Sequence, residues 1–225
     1  MLWALGQPAA VGGLLFAFLT ALAVRVVAVR LTAKVLRLVS RRTSVLPRPR
    51  ADVDPFGAVA AVLGGTGWGR SVDLEELPPH AARGRRAVVY AAGPFVALLA
   101  GELALLGYRL GYPRDLVALK VNYPSDVLRG AIAPNAGAQF VLSVGVGLLC
   151  FGLLALVPLP PLDGFGLIWL SMSTPTPAAE RARHWLADNN VGVAILLVAL
   201  TFPFGGPFGY AYFNVLGTPL MRVWT

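Results

Sequence analysis

From Val11 to Val29 the chain is apolar except for one charge, Arg25. No feature constrains the fold more. Inside a bilayer the backbone has no water to bond, so a run of about 20 apolar residues crosses it as a helix. With its flanks this first run covers about 9–38. Others follow at about 86–110, 136–157 and 191–220. Composition agrees. The chain is 56% hydrophobic and only 13% charged, against about 25% charged in soluble domains. The sequence predicts an all-α integral membrane protein, one domain over 1–225 with about four transmembrane helices. The first run has no charged stretch before it and continues into more helix. It reads as a retained membrane helix and not a cleaved signal. The last run is interrupted by "FPFGGPFG" (202–209), so it is one kinked span or two half-spans.

Between the first two runs lies "FGAVAAVLGGTGWG" (56–69), apolar but too short to span as a helix. Irregular backbone at membrane depth has to be buried in protein. A re-entrant or interfacial hairpin over about 54–72 is the expectation. The connection 111–135, with Pro113, Pro124 and Pro134, reads as an exterior loop. "TPTPAAERARHWLADNN" (174–190) reads as a loop and a short amphipathic helix, with Thr176 as N-cap and Pro177 at the first helical position.

The net charge of +8 reflects where the basic residues sit. Lys34, Arg37, Arg41, Arg42, Arg48, Arg50, Arg70, Arg83, Arg85 and Arg86 fall between the first two runs or at their facing ends. Only Arg109, Arg114, Lys120 and Arg129 fall between the next two. Basic loops stay on the cytoplasmic side. The 39–85 loop is therefore expected to be cytoplasmic, in a bacterial plasma membrane, with anionic lipid and not nucleic acid as its counter-charge. The lone Cys150 excludes an internal disulfide and a cysteine metal site.

Away from the ends of the apolar runs ionisable groups are few: Arg25, Arg30 and Glu102. Asp163 joins them in "LVPLPPLDGFG" (156–166). A charge at membrane depth needs a partner. Two readings are open for Asp163. It pairs with Arg25 or Arg30, bidentately where geometry allows, or it caps the short helix that follows. His80 and His184 lie in polar stretches and read as solvent-facing.

Four stretches together resemble the site-2 protease family, the intramembrane zinc metalloproteases. "PLPPLDG" (158–164) is similar to that family's L-D-G motif, and "DPFGAVAAVLGGTGWGRSV" (54–72) to its membrane-entering loop. "AAGPFVALLAG" (91–101) is similar to its A-G-P-x-x-N helix, and "VAVRLTA" (27–33) to the stretch after its catalytic helix. The resemblance implies a zinc bound by H-E-x-x-H and by the L-D-G aspartate, with the glutamate as general base. In that register the motif falls on Thr20, Ala21, Leu22, Ala23 and Val24. Thr20 and Val24 replace the ligands, and Ala21 replaces the base. Ala97 and Ala155 stand where the family has asparagines. Asp163 is the one polar remnant, so no metal and no cofactor is expected.

Three function classes follow. The first is a non-catalytic relative serving as an accessory or scaffolding subunit among integral membrane partners. The others are a divergent intramembrane protease and a transport or channel component. For the first, the candidate contact surfaces are the basic loop at Arg41, Arg42, Arg48 and Arg50, and the C-terminal stretch with Gly205, Gly206, Gly209, Tyr210, Tyr212 and Phe213.

Overall fold

The computed structural model describes residues 1–40, 42–70, 78, 81–172, 174–202 and 208–225. Every described element is helical, apart from one isolated antiparallel bridge. Helix α1 (Pro8–Val35) opens with proline at its first position, where no N–H is required. A short turn α2 (Pro49–Asp52) leads to α3 (Pro55–Gly64), and α4 (Arg83–Gly111) follows. Two short helices, α5 (Val117–Val121) and α6 (Pro124–Leu128), precede α7 (Ala136–Ala155). Helices α1, α4 and α7 are each long and apolar enough to cross a membrane.

α7 is the axis of the fold. It is buried nearly all round, whereas α1 and α4 leave broad apolar faces such as Leu15, Phe16, Leu99 and Leu103 exposed. Small residues set this arrangement, because lipid gives no hydrophobic drive for helices to associate and close packing has to do so. A Cβ at Gly147 would sit 2.7 Å from that of Ala17, so α7 and α1 nearly touch there. A Cβ at Gly101 would lie 2.8 Å from the Leu149 amide, which locks α4 against α7 in the same way.

The predicted hairpin has a definite form. Asp54 caps α3, accepting from the Phe56 and Gly57 amides at 2.8 and 3.1 Å. The chain turns at Gly65, where φ is +81° and a side chain would be strained. It then returns along α3, and Val53 bridges Gly69. Neither Gly57 nor Gly67 has room for a Cβ: the Trp68 carbonyl blocks the first and the Gly57 carbonyl the second. The glycines of "GGTGWG" therefore let the return strand lie on its own helix. Residues 71 and 72, the end of the predicted hairpin, lie outside the described set.

Two further stretches take a definite form. The 111–135 segment carries α5 and α6, and α6 buries Pro124, Ser125, Val127 and Leu128. Leu128 faces the hairpin turn at Gly65, and Pro124 faces Gly217. Pro124 starts α6, which packs beside α7. The C-terminal stretch forms α10 (Val191–Thr201) and α11 (Phe208–Arg222). Each is shorter than the hydrocarbon thickness: α10 rises about 16 Å, against about 30 Å for a bilayer core. Neither is long enough to span alone, and residues 203–207 between them lie outside the described set.

After α7 the chain bends through the proline-rich break into α8 (Asp163–Ser171). Next come α9 (Pro177–Arg183) and a π-helical turn at His184–Asp188. Thr176 caps α9 by accepting from the Ala179 amide at 3.2 Å, as its spacing to Pro177 implies.

Candidate functional site

Asp163 is the first residue of α8 and only 1% exposed, and Arg25 of α1 is 4% exposed. Arg25 Nε donates to one carboxylate oxygen of Asp163 at 2.7 Å, and Nη2 donates to the other at 2.5 Å. Both lone-pair faces of the acid are thus taken by one guanidinium fork. Of the two readings of Asp163, the cap is absent. Leu162 holds the N-cap position, and no side chain caps the helix. An arginine within reach is the stronger partner for a buried carboxylate, because it neutralises the charge as well as bonding it.

The surroundings explain the motif residues. Gly164 packs under the Leu156 carbonyl, and Gly166 takes the Tyr90 ring on its bare face. A Cβ at Gly93 would lie 2.7 Å from Arg25 Cγ and 3.4 Å from Asp163 Oδ2. So the glycine of "AAGP" makes the space through which Arg25 reaches α8. Gly69 does the same from the hairpin, with Leu22 and Arg25 Nη1 close to where its Cβ would be. Arg25 Nη1 also donates to the Arg70 carbonyl at 2.9 Å. One side chain therefore ties α1, the "LDG" helix and the hairpin neck together.

Arg30 is not a partner of Asp163. Its Nη2 donates to Asp52 at 2.5 Å and its Nη1 to the Leu46 carbonyl at 2.6 Å. Five residues from Arg25 place it about 140° round the helix and about 7.5 Å along it, on the far side of the hairpin neck. Asp52 in turn accepts from the Arg48 amide at 2.5 Å, and its carbonyl accepts from the Arg70 amide at 3.0 Å. Sequence reasoning missed this second clasp. Its only signal was an acid, Asp52, beside a hairpin start.

Thr20 and Val24 are half-exposed, whereas Ala21, Leu22 and Arg25 are buried on the inner face. Arg25, which meets Asp163, is one residue on from Val24, and Ala21 is the residue one turn before it on the same helix face. The difference is about 100° of rotation, which only packing against α7 and α8 decides. Ala97 and Ala155 are buried among apolar neighbours.

The family resemblance would put a zinc ion here, and the residues do not fit one. The face opposite Asp163 offers Ala21 and Leu22, which cannot ligate. A guanidinium already occupies both carboxylate oxygens, and a cation beside it would be repelled. Among the described residues no three His, Cys, Asp or Glu side chains converge for a metal. His184 pairs with Asp188 at 2.6 Å on the surface, far from Asp163 in the chain. His80 lies outside the described residues.

The expected contact surfaces divide. Arg42, Arg48 and Arg50 are exposed, while Arg41, Gly205 and Gly206 lie outside the described residues. Tyr210 and Phe213 do not form a docking face, being 3% and 0% exposed. Tyr210 donates to the Gly64 carbonyl at the hairpin tip at 2.9 Å, and partly buried Tyr212 donates to the Leu153 carbonyl at 2.9 Å. Buried phenols need such acceptors, and carbonyls near a helix end and at a hairpin tip supply them; that of Leu153 also accepts from the Leu156 amide at 3.1 Å. Gly209 packs against Leu200 and Ala199 within the chain. Glu102 accepts from Trp224 Nε1 at 2.6 Å.

Comparison with known proteins finds the "Putative zinc metalloprotease YwhC" of Bacillus subtilis (strain 168), 29% identical over 157 residues. The match covers 70% of this chain and 64% of that relative, less than two thirds of its length. No family model and no solved structure matches. The chain is a multi-pass helical membrane protein, similar over most of its length to a bacterial protein that carries a zinc metalloprotease name.

Proposed function

We propose that this is a non-catalytic site-2-protease-like membrane protein that works as an accessory or scaffolding subunit of a larger membrane complex. The observation that carries the reading is the bidentate Arg25–Asp163 pair. The acid that would hold a metal is committed to a structural clasp, and the helix facing it offers no ligand or base. With no chemistry to perform there, the molecule serves by contact. Its exposed apolar helix faces meet membrane partners, and Arg42, Arg48 and Arg50 meet anionic lipid on the cytoplasmic side. Native electrophoresis of mildly solubilised membranes tests the reading. The protein is expected to migrate in an assembly well above its own 23.7 kDa. Migration as a free monomer in every mild detergent overturns the subunit role.

The printed name of the relative favours a second reading, an intramembrane protease with an altered centre. Stoichiometric zinc that disappears in Asp163→Asn, together with cleavage of a transmembrane reporter, would establish it in place of the first.

A further inference from the structure

The segment that joins α8 to α10 has no part in the clasp at Asp163, yet its side chains are arranged. α9 and its π-helical turn meet α10 at a bend of 64°. With α10 entering the bilayer, the 177–188 segment lies closer to the membrane plane than to its normal. It sits beside the α7 break, since the start of α10 at Gly192 packs against the Pro160 carbonyl. The composition is that of the headgroup layer, where tryptophan and arginine collect. Trp185 is 57% exposed and Ile168 and Met172 are exposed nearby in the chain. The Arg183 guanidinium rests on the Trp169 ring, 5.1 Å from its centroid, and Phe165 stacks on that ring.

An open groove of about 710 Å³ runs along this segment, lined by Pro177, Glu180, Arg181, His184 and Trp185. Its charges have both signs. Arg181 Nε bonds the Pro177 carbonyl at 3.3 Å, and its Nη groups have no partner among the described residues. Glu180, one residue away, carries a carboxylate with no partner among the described residues. The other acid of the segment, Asp188, is engaged by His184. With α10 in the bilayer this groove lies at the membrane surface, and the Nη end of a guanidinium and a carboxylate, both without partners among the described residues, beside an exposed indole, match neither a purely anionic nor a purely apolar ligand.

We infer that this groove binds the headgroup of a zwitterionic phospholipid of the phosphatidylethanolamine type. Arg181 takes the phosphate through its Nη donors. Glu180 accepts hydrogen bonds from the primary ammonium, and Trp185 lies against the glycerol and upper acyl chain. A primary ammonium has three N–H donors. A trimethylammonium has none, and a glycerol headgroup has no positive charge. The site therefore selects ethanolamine over choline by hydrogen bonding, and over phosphatidylglycerol by the Glu180 charge.

Native mass spectrometry of the full-length protein in detergent with defined lipid mixtures tests this. Phosphatidylethanolamine should be retained about tenfold over phosphatidylcholine and phosphatidylglycerol. Glu180→Gln should abolish the preference over phosphatidylglycerol, and Arg181→Gln should lower retention of all three. Arg114→Gln, an exposed arginine elsewhere, should change nothing. Glu180 and Arg181 are exposed, so neither substitution endangers folding, and equal thermal unfolding of the variants checks this. Equal retention of the three lipids by the wild type overturns the proposal. So does a preference for phosphatidylglycerol, or a preference over phosphatidylglycerol that survives Glu180→Gln.

Discussion

Asp163→Asn is the most informative single change. It leaves volume and one acceptor in place but removes the negative charge facing Arg25. The paired side chains are 5% and 0% exposed, so the arginine left behind cannot turn to water without dragging the hairpin neck with it. Breaking one partner of such a buried pair costs about 3–5 kcal/mol, a large share of a typical stability of about 5–15 kcal/mol. At about 2–4 °C per kcal/mol for a chain of this size, the midpoint should fall by about 6–20 °C. Arg25→Met should cost at least as much, because it also frees the Arg70 carbonyl, at about 1–3 kcal/mol for an unsatisfied group. The double change Arg25→Met with Asp163→Leu should recover most of the loss, since apolar replacement of a buried pair is often neutral or better. Thermal unfolding in one detergent at fixed lipid content, followed by tryptophan fluorescence, measures all four proteins. If Asp163→Asn matched the wild type, or if the double variant were as unstable as the worse single one, the clasp would not hold the fold as described.

Three further outcomes follow from the geometry. Ala21→His, Leu22→Glu and Arg25→His together place two imidazoles at i, i+4 against Asp163. The purified variant should hold about one zinc per chain, whereas Thr20→His, Ala21→Glu and Val24→His should not; metal analysis of both decides the register. Cysteines introduced at Arg48 and Arg114, both exposed, should be labelled from opposite sides of intact vesicles, since native Cys150 is buried and silent; labelling from the same side refutes the topology. Gly101→Ala should lower stability by about 1–3 kcal/mol through overpacking on Leu149. Gly107→Ala, with open space at its Cβ, should be neutral or slightly stabilising, as midpoint shifts would show.

The sequence by itself determined the solvent and the elements. A run such as Val11–Val29 has one stable solution in a membrane, because an unbonded backbone is intolerable there. The same rule made 56–69 a hairpin packed on protein, being apolar yet too short to cross. Thr176 before Pro177 set the start of α9 through local bonding alone. Asp163 was legible as a site for the same kind of reason: an acid at that depth requires a partner. Which partner was not legible. Arg25 and Arg30 are both long, both cationic and on one helix, and they differ only in the direction each faces. That direction is set by how α1 rotates against α7, where Ala17 meets Gly147, and by the gaps that Gly69 and Gly93 leave around Arg25 alone. The rotation that separates Val24 from Arg25 is one residue, and it too is invisible in a helix this apolar. Tyr210 and Phe213 read as surface because aromatics belong at membrane interfaces. The hairpin tip presents the Gly64 carbonyl from a segment far away in the chain, and only the folded structure brings it to the Tyr210 hydroxyl.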